Sequence, residues 1–104
     1  MKTDKNLYID CHNYCVEDAI NYINSFVASN SCDSLSIDIS KYNFLEATNI
    51  CILSSTFSFN QNPENKITWI VNSDDTRKTI NRLKLKNISL EVKASVRYKD
   101  AICV

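Results

Sequence analysis

The chain switches repeatedly between two apolar periods, and this limits its fold more than any other feature. Leu7-Tyr8-Ile9-Asp10-Cys11 is apolar at every second residue, the period of a strand whose side chains alternate between two faces. Asn13 or Tyr14 ends it. Residues 16–29 then carry Val16, Ala19, Ile20, Ile23, Phe26 and Val27 at three- and four-residue steps, so one face of a helix is apolar. Glu17 and Asp18 stand in its first turn, where the helix dipole favours carboxylates. Asn30-Ser31 stops it.

Leu35-Ser36-Ile37-Asp38-Ile39 returns to the strand period. Residues 46–60 fit both periods. Ile50, Leu53 and Phe57 make a helical stripe, whereas Ile50-Cys51-Ile52-Leu53 and the Phe57/Phe59 alternation suit a strand. Frequent Thr, Ser and Ile lower the helix propensity there. Asn60 to Asn65 is a loop around Pro63, and Ile67-Thr68-Trp69-Ile70-Val71 is a β-branched, aromatic strand. Asn72 or Ser73 caps the next helix, expected over 74–85. Asp74 and Asp75 fill its first turn, Lys84 and Lys86 sit at its far end, and Thr76, Ile80 and Leu83 form its stripe. Ile88-Ser89-Leu90-Glu91-Val92 is the last clear strand. Tyr98 to Val104 reads as a final helix cut short.

The order is β-α-β-α-β-α-β. Helical spacers between strands argue for right-handed βαβ crossovers, hence an α/β domain with a mainly parallel four-stranded sheet. A chain of 104 residues supports one core and not two, so 1–104 reads as one domain with a flexible start over 1–6.

Composition narrows the partners. Lysine plus arginine equals aspartate plus glutamate, giving zero formal charge. A basic footprint for nucleic acid is therefore missing. Weak net repulsion allows self-association, so a homodimer is an open expectation. The polar start Met1-Lys2-Thr3-Asp4-Lys5-Asn6 lacks an apolar leader core, and no apolar run reaches membrane-span length. These features read as a cytoplasmic protein without direct membrane insertion. Five cysteines at irregular spacing do not make a secreted disulfide framework. Glycine is absent, so positions needing positive φ fall to Asn or Asp. Asn30, Asn62, Asn65 and Asn87 stand at the expected turns.

The segment Asp38-Ile39-Ser40-Lys41-Tyr42-Asn43-Phe44-Leu45-Glu46-Ala47-Thr48-Asn49 resembles that of STAS domains. There, Asp-Leu-Ser is followed by a short loop, an apolar pair, and Asp-Ser-Ser-Gly opening a helix. The interval from Asp38 to Ile67 also matches the family's spacing between two core strands. Ser73-Asp74-Asp75 through Leu85 and the helix at 16–29 fall where its helices belong, and Tyr98-Lys99-Asp100-Ala101-Ile102 is similar to the opening of its last one. The resemblance implies helix for 46–60. It also implies a bacterial regulatory module of the anti-sigma factor antagonist type, binding an anti-sigma factor, kinase or ATPase-like protein without catalysis or cofactor. A STAS-type subunit of a membrane-associated transport complex is the alternative.

Carried over residue by residue, the family's acid is Glu46, its phosphorylated serine is Ala47, its second serine is Thr48 and its glycine is Asn49. Ala47 has no hydroxyl, so that switch cannot operate. Its N-terminal strand pair is reduced to one strand. Thr48 reads first as a structural hydroxyl or cap at the helix start and second as a candidate phosphate acceptor, because a helix N-terminus attracts anions. The expected partner surface combines this helix start with the preceding loop, where Tyr42, Phe44 and Leu45 cluster.

Other chemistry is thinner. Cys11-His12-x-x-Cys15, with Cys32 as a fourth ligand, lacks standard zinc spacing, and His12 faces away from Cys11 on a strand. A thiol or metal protein using Cys11, His12 and Cys15 is the third reading; no metal site is expected. Asp10 and Asp38 lie near each other if their strands are neighbours, where paired carboxylates can do acid–base work. Exposure or a capping bond is the plainer role of Asp38. Trp69 reads as core, and Arg77, Lys78 and Arg82 as a basic helix side, commonly solvated. Without glycine there is no glycine-rich phosphate loop.

Overall fold

The computed structural model of the chain describes residues 6–11, 14–29 and 34–93. Its elements are β1 (Asn6–Asp10), α1 (Val16–Ser29), β2 (Ser34–Asp38), α2 (Phe44–Gln61), β3 (Lys66–Val71), α3 (Asp74–Asn81) and β4 (Ile88–Val92). The expected alternation is the one the chain adopts. All strands are parallel and form one sheet in the order β1-β2-β3-β4. Met1–Lys5 and the final helix expected from Tyr98 lie outside the described residues.

Each strand pairs with the one before it, so the three crossovers step the same way. Crossovers of one hand then put every helix on one face, and α1 packs on α2 and α2 on α3. Strand parity agrees. Ile9, Leu35, Ile37, Ile67 and Trp69 point to the helices and are buried with Ile23, Ile50 and Ile80. The opposite parity carries Tyr8, Ser36, Thr68 and Ser89, paired in register across the sheet. The described helices leave that polar face uncovered. Trp69 is core, not surface, and its Nε1–H donates to Ser55 Oγ at 2.9 Å, the partner that a buried indole requires.

The ambiguous segment is helix, and it starts at Phe44 rather than 46. Asn43 is the cap. Its side chain accepts from the Glu46 N–H at 2.9 Å, and the Glu46 carboxylate accepts from the Asn43 N–H at 3.0 Å. This reciprocal pair satisfies two orphan donors. Interior propensity is poor, so burial of one face stabilises the helix instead. That face is Ala47, Ile50, Cys51, Ser54, Ser55 and Ser58. Fully burying one aliphatic side chain such as Ile50 contributes about 1.5–3 kcal/mol. The expected stripe of Ile50, Leu53 and Phe57 is thus corrected. Ile50 points inward, but Leu53 is 53% exposed.

α3 starts as expected, with Ser73 Oγ accepting from the Thr76 N–H. It ends at Asn81, short of the expected 85. Tight turns from Ile80 and Asn81 carbonyls to Leu83 and Lys84 close it. Leu83 is therefore exposed instead of completing the buried stripe. Lys84 takes φ 56°, as does Asn87. Asn87 fulfils the glycine-free expectation; Lys84 does so without a short polar side chain, at a cost of about 1 kcal/mol. Asn62 instead caps α2 with extended backbone. Its side chain accepts from the Glu64 N–H and donates to Asn65 Oδ1, so side-chain bonds make that turn. Asn30 lies outside the described residues.

Candidate functional site

The helix start singled out by sequence divides into buried and exposed parts. Tyr42 does not belong to a contact surface. It is buried, and its hydroxyl lies against the carbonyls of Cys11 (3.0 Å) and Tyr14 (2.5 Å). Its own carbonyl accepts from Asn72 Nδ2. Tyr42 thereby rivets the turn before α2 to the end of β1 and to the turn after β3. Burial above all, then the neighbouring thiols Cys11 and Cys15, push its phenol up to about 12. The Lys41 ammonium stands 5.1 Å from its ring centroid, within cation–π range.

Phe44 and Leu45 lie in the first turn of α2, not in the loop, and are 43% and 69% exposed. Glu46 is engaged in the capping box. Ala47 is 1% exposed, so the position that the resemblance gives to the switch serine faces the core. Thr48 is not a cap. It sits in the second turn, and its hydroxyl donates to the Phe44 carbonyl at 2.8 Å, a common bond for a helical threonine. Asn49 is exposed.

Sequence reasoning missed how far the exposed part extends. Leu45, Asn49, Ile52, Leu53 and Thr56 follow helical spacing along the side of α2 opposite Ala47, Cys51, Ser54 and Ser58. Leu45 and Leu53 are exposed there and Ile52 is half-buried. The available signal was an excess of apolar residues over what one stripe can bury.

A second cluster lies at the carboxyl ends of the strands. Asp10 and Asp38 are register partners on β1 and β2. Asp38 is not exposed, but it does make the expected capping bond, to the backbone of Ser40. It is buried and accepts from Ser40 Oγ (2.6 Å), Ser40 N–H (2.9 Å), Lys93 Nζ (2.9 Å) and Tyr8 OH (3.1 Å). Burial by itself would raise its pKa, but these donors outweigh it and hold the carboxyl at about 2. A general acid or base works best near the operating pH, so Asp38 is a strap rather than a proton carrier. It ties β1 and β2 to the residue after β4. The cleft of Asp10, Asp38, Ser40, Lys41 and Lys93 holds about 30 Å³, room for a water. Among the described strands the unreversed order also provides no topological switch point, where open α/β sheets bind ligands.

The remaining candidates separate. Cys11 is buried, and burial first, then Asp10 and Asp38, push its thiol up to about 11. It is a thiol at neutral pH, whereas nucleophiles and metal ligands are thiolates. Cys15 is exposed. Burial also pushes the Cys51 thiol up. His12, Cys32 and Cys103 lie outside the described residues, and no group of three ligating side chains occurs among the described ones. Arg77 and Lys78 pair with Asp74 within their own helix, so they are not an open basic patch. No described helix is long and apolar enough to cross a membrane.

Compared with protein-family models, curated proteins and solved structures, the chain matches none.

Proposed function

We propose that this protein is a non-catalytic, protein-binding regulatory module of STAS-like character, with its partner seated on the outward side of α2. The observation that carries this reading is the exposure of Leu45 and Leu53, with half-buried Ile52 between them, on a helix whose opposite side already fills the core. Large apolar side chains grouped on a surface mark interaction sites. The spacing around Asp38 to Asn49 supports an anti-sigma factor, kinase or ATPase-like protein as the partner class. A module docking on a membrane-associated transporter would use the same side. Ala47 offers no hydroxyl, so binding on this reading proceeds without the family's serine switch, and Thr48, already bonded to Phe44, serves the helix.

Affinity capture from the native cytosol followed by mass spectrometry tests this. The wild-type protein should retain one dominant partner, and Leu45→Asp and Leu53→Glu should each lose it while staying folded by circular dichroism. Thr48 should carry no phosphate, and Thr48→Val should keep the partner. Retention of the same partner by both surface variants would refute the proposed surface.

A further inference from the structure

All strand ends and helix starts lie at one edge of the parallel sheet, and all strand starts and helix ends lie at the other. Both edges carry both signs, with Lys41 and Lys93 at the first and Glu64 at the second. Glu17, Asp18, Glu46, Asp74 and Asp75 occupy the first turns of the three helices. The opposite edge holds Lys66, Arg82, Lys84 and Lys86, all exposed. Neither Lys84 nor Lys86 is paired with a carboxylate among the described residues.

Those two lysines stand on a groove. It lies between the last turns of α2, at Ser55, Thr56 and Phe59, and the segment Lys84-Leu85-Lys86, and it holds about 190 Å³ with mostly apolar walls. The left-handed turn at Lys84 sets the segment opposite α2. The volume falls short of the roughly 300 Å³ at which small-molecule pockets begin. It suits one large apolar side chain. Favourable charge at the C-terminus of α3 accounts for cations here; it does not account for an apolar groove between them.

We infer that this groove binds an acidic segment of a partner protein, with one aromatic or large aliphatic side chain in the groove and flanking carboxylates on Lys84 and Lys86. An apolar anchor ringed by charge is how small interfaces obtain both affinity and orientation. The groove is too short for an extended acyl chain, and its apolar walls offer nothing to a phosphate backbone. The inference does not rest on the outward leucines of α2, because the groove uses the far end of that helix and shares only Thr56 with that side.

The test titrates the full chain with a labelled peptide, phenylalanine flanked on each side by two glutamates, followed by fluorescence anisotropy and amide chemical shifts. Saturable binding with shifts at Leu85 and Lys86 is expected, weakening as salt rises. Replacing the peptide's phenylalanine by alanine should weaken it at least tenfold. Lys84→Glu combined with Lys86→Glu should weaken the acidic peptide about tenfold or more and admit the corresponding lysine-flanked peptide. Leu45→Glu should leave binding unchanged. The inference fails if the acidic peptide does not saturate, or if the alanine peptide or the double variant binds as well. It also fails if decanoate or oligodeoxythymidine binds the groove more tightly than the peptide, which would assign it to a lipid or a nucleic acid.

Discussion

The two sides of α2 invert the usual arrangement of a surface helix. Its inner side is built largely of small residues, Ala47, Cys51, Ser54, Ser55 and Ser58, with Ile50 as the one large aliphatic among them. Its outer side presents Leu45 and Leu53. Small side chains let the helix lie close to α1 and the sheet, so the inner side contributes proximity and hydrogen bonding. The outer leucines add nothing to that packing. What differs between the sides is therefore their part in the fold: packing explains the inner side and leaves the outer leucines unexplained.

That contrast can be broken by substitution. Ile50→Ala should cost most, about 3 kcal/mol, because a buried aliphatic leaves a cavity; urea denaturation measures it. The neighbouring serines should then part company. Ser55→Ala orphans the Trp69 indole N–H and should cost about 2 kcal/mol. Ser54, whose buried hydroxyl has no partner among the described residues, should lose nothing on change to alanine. Equal losses at both positions would show that the inner side is sensitive to volume alone.

Away from the helix, Asp38→Asn should cost about 1.5 kcal/mol, the scale of a hydrogen bond to a charged group. Its carboxyl sits below the unfolded value, so the strap stabilises fully above about pH 4 and is lost as pH falls toward 2. The variant should accordingly show a shallower loss of stability on the acid side. Asn43→Ala removes the cap and should cost about 1 kcal/mol, read as a shift in the denaturation midpoint. Leu45→Ser and Leu53→Ser should change stability least, within about 0.5 kcal/mol. A loss of 2 kcal/mol at either position would make the outer side part of the fold and remove the contrast.

Strand and helix order was legible because each period is local. Leu35, Ile37 and Ile39 declare a strand without reference to the rest of the chain. Asp74 and Asp75 likewise announce a helix start, although its end at Asn81 depends on a left-handed lysine that no local pattern favours. The sides of α2 were not legible, since apolar residues surround it and serines point inward. Tyr42 looked like a surface aromatic because its acceptors, the carbonyls of Cys11 and Tyr14, come from a distant part of the sequence. Lys93 gave no signal, as its role arises only once β4 brings it to Asp38. Phe44 and Leu45 were legible as an exposed pair, but the continuation to Leu53 needed the helix to be placed first.

The strand order β1-β2-β3-β4 has a consequence for how the molecule is assembled. Every new strand meets the strand completed just before it, across one intervening helix. No strand waits for a later segment to be inserted beside it, as it must in sheets that grow in two directions. Loop closures are consequently short, which favours rapid folding. The first strand–helix–strand unit can pair β1 with β2 once Asp38 has been synthesised, leaving β2 open to β3. Growth from the ribosome can then proceed edge by edge, with Lys93 the last of Asp38's partners to be made.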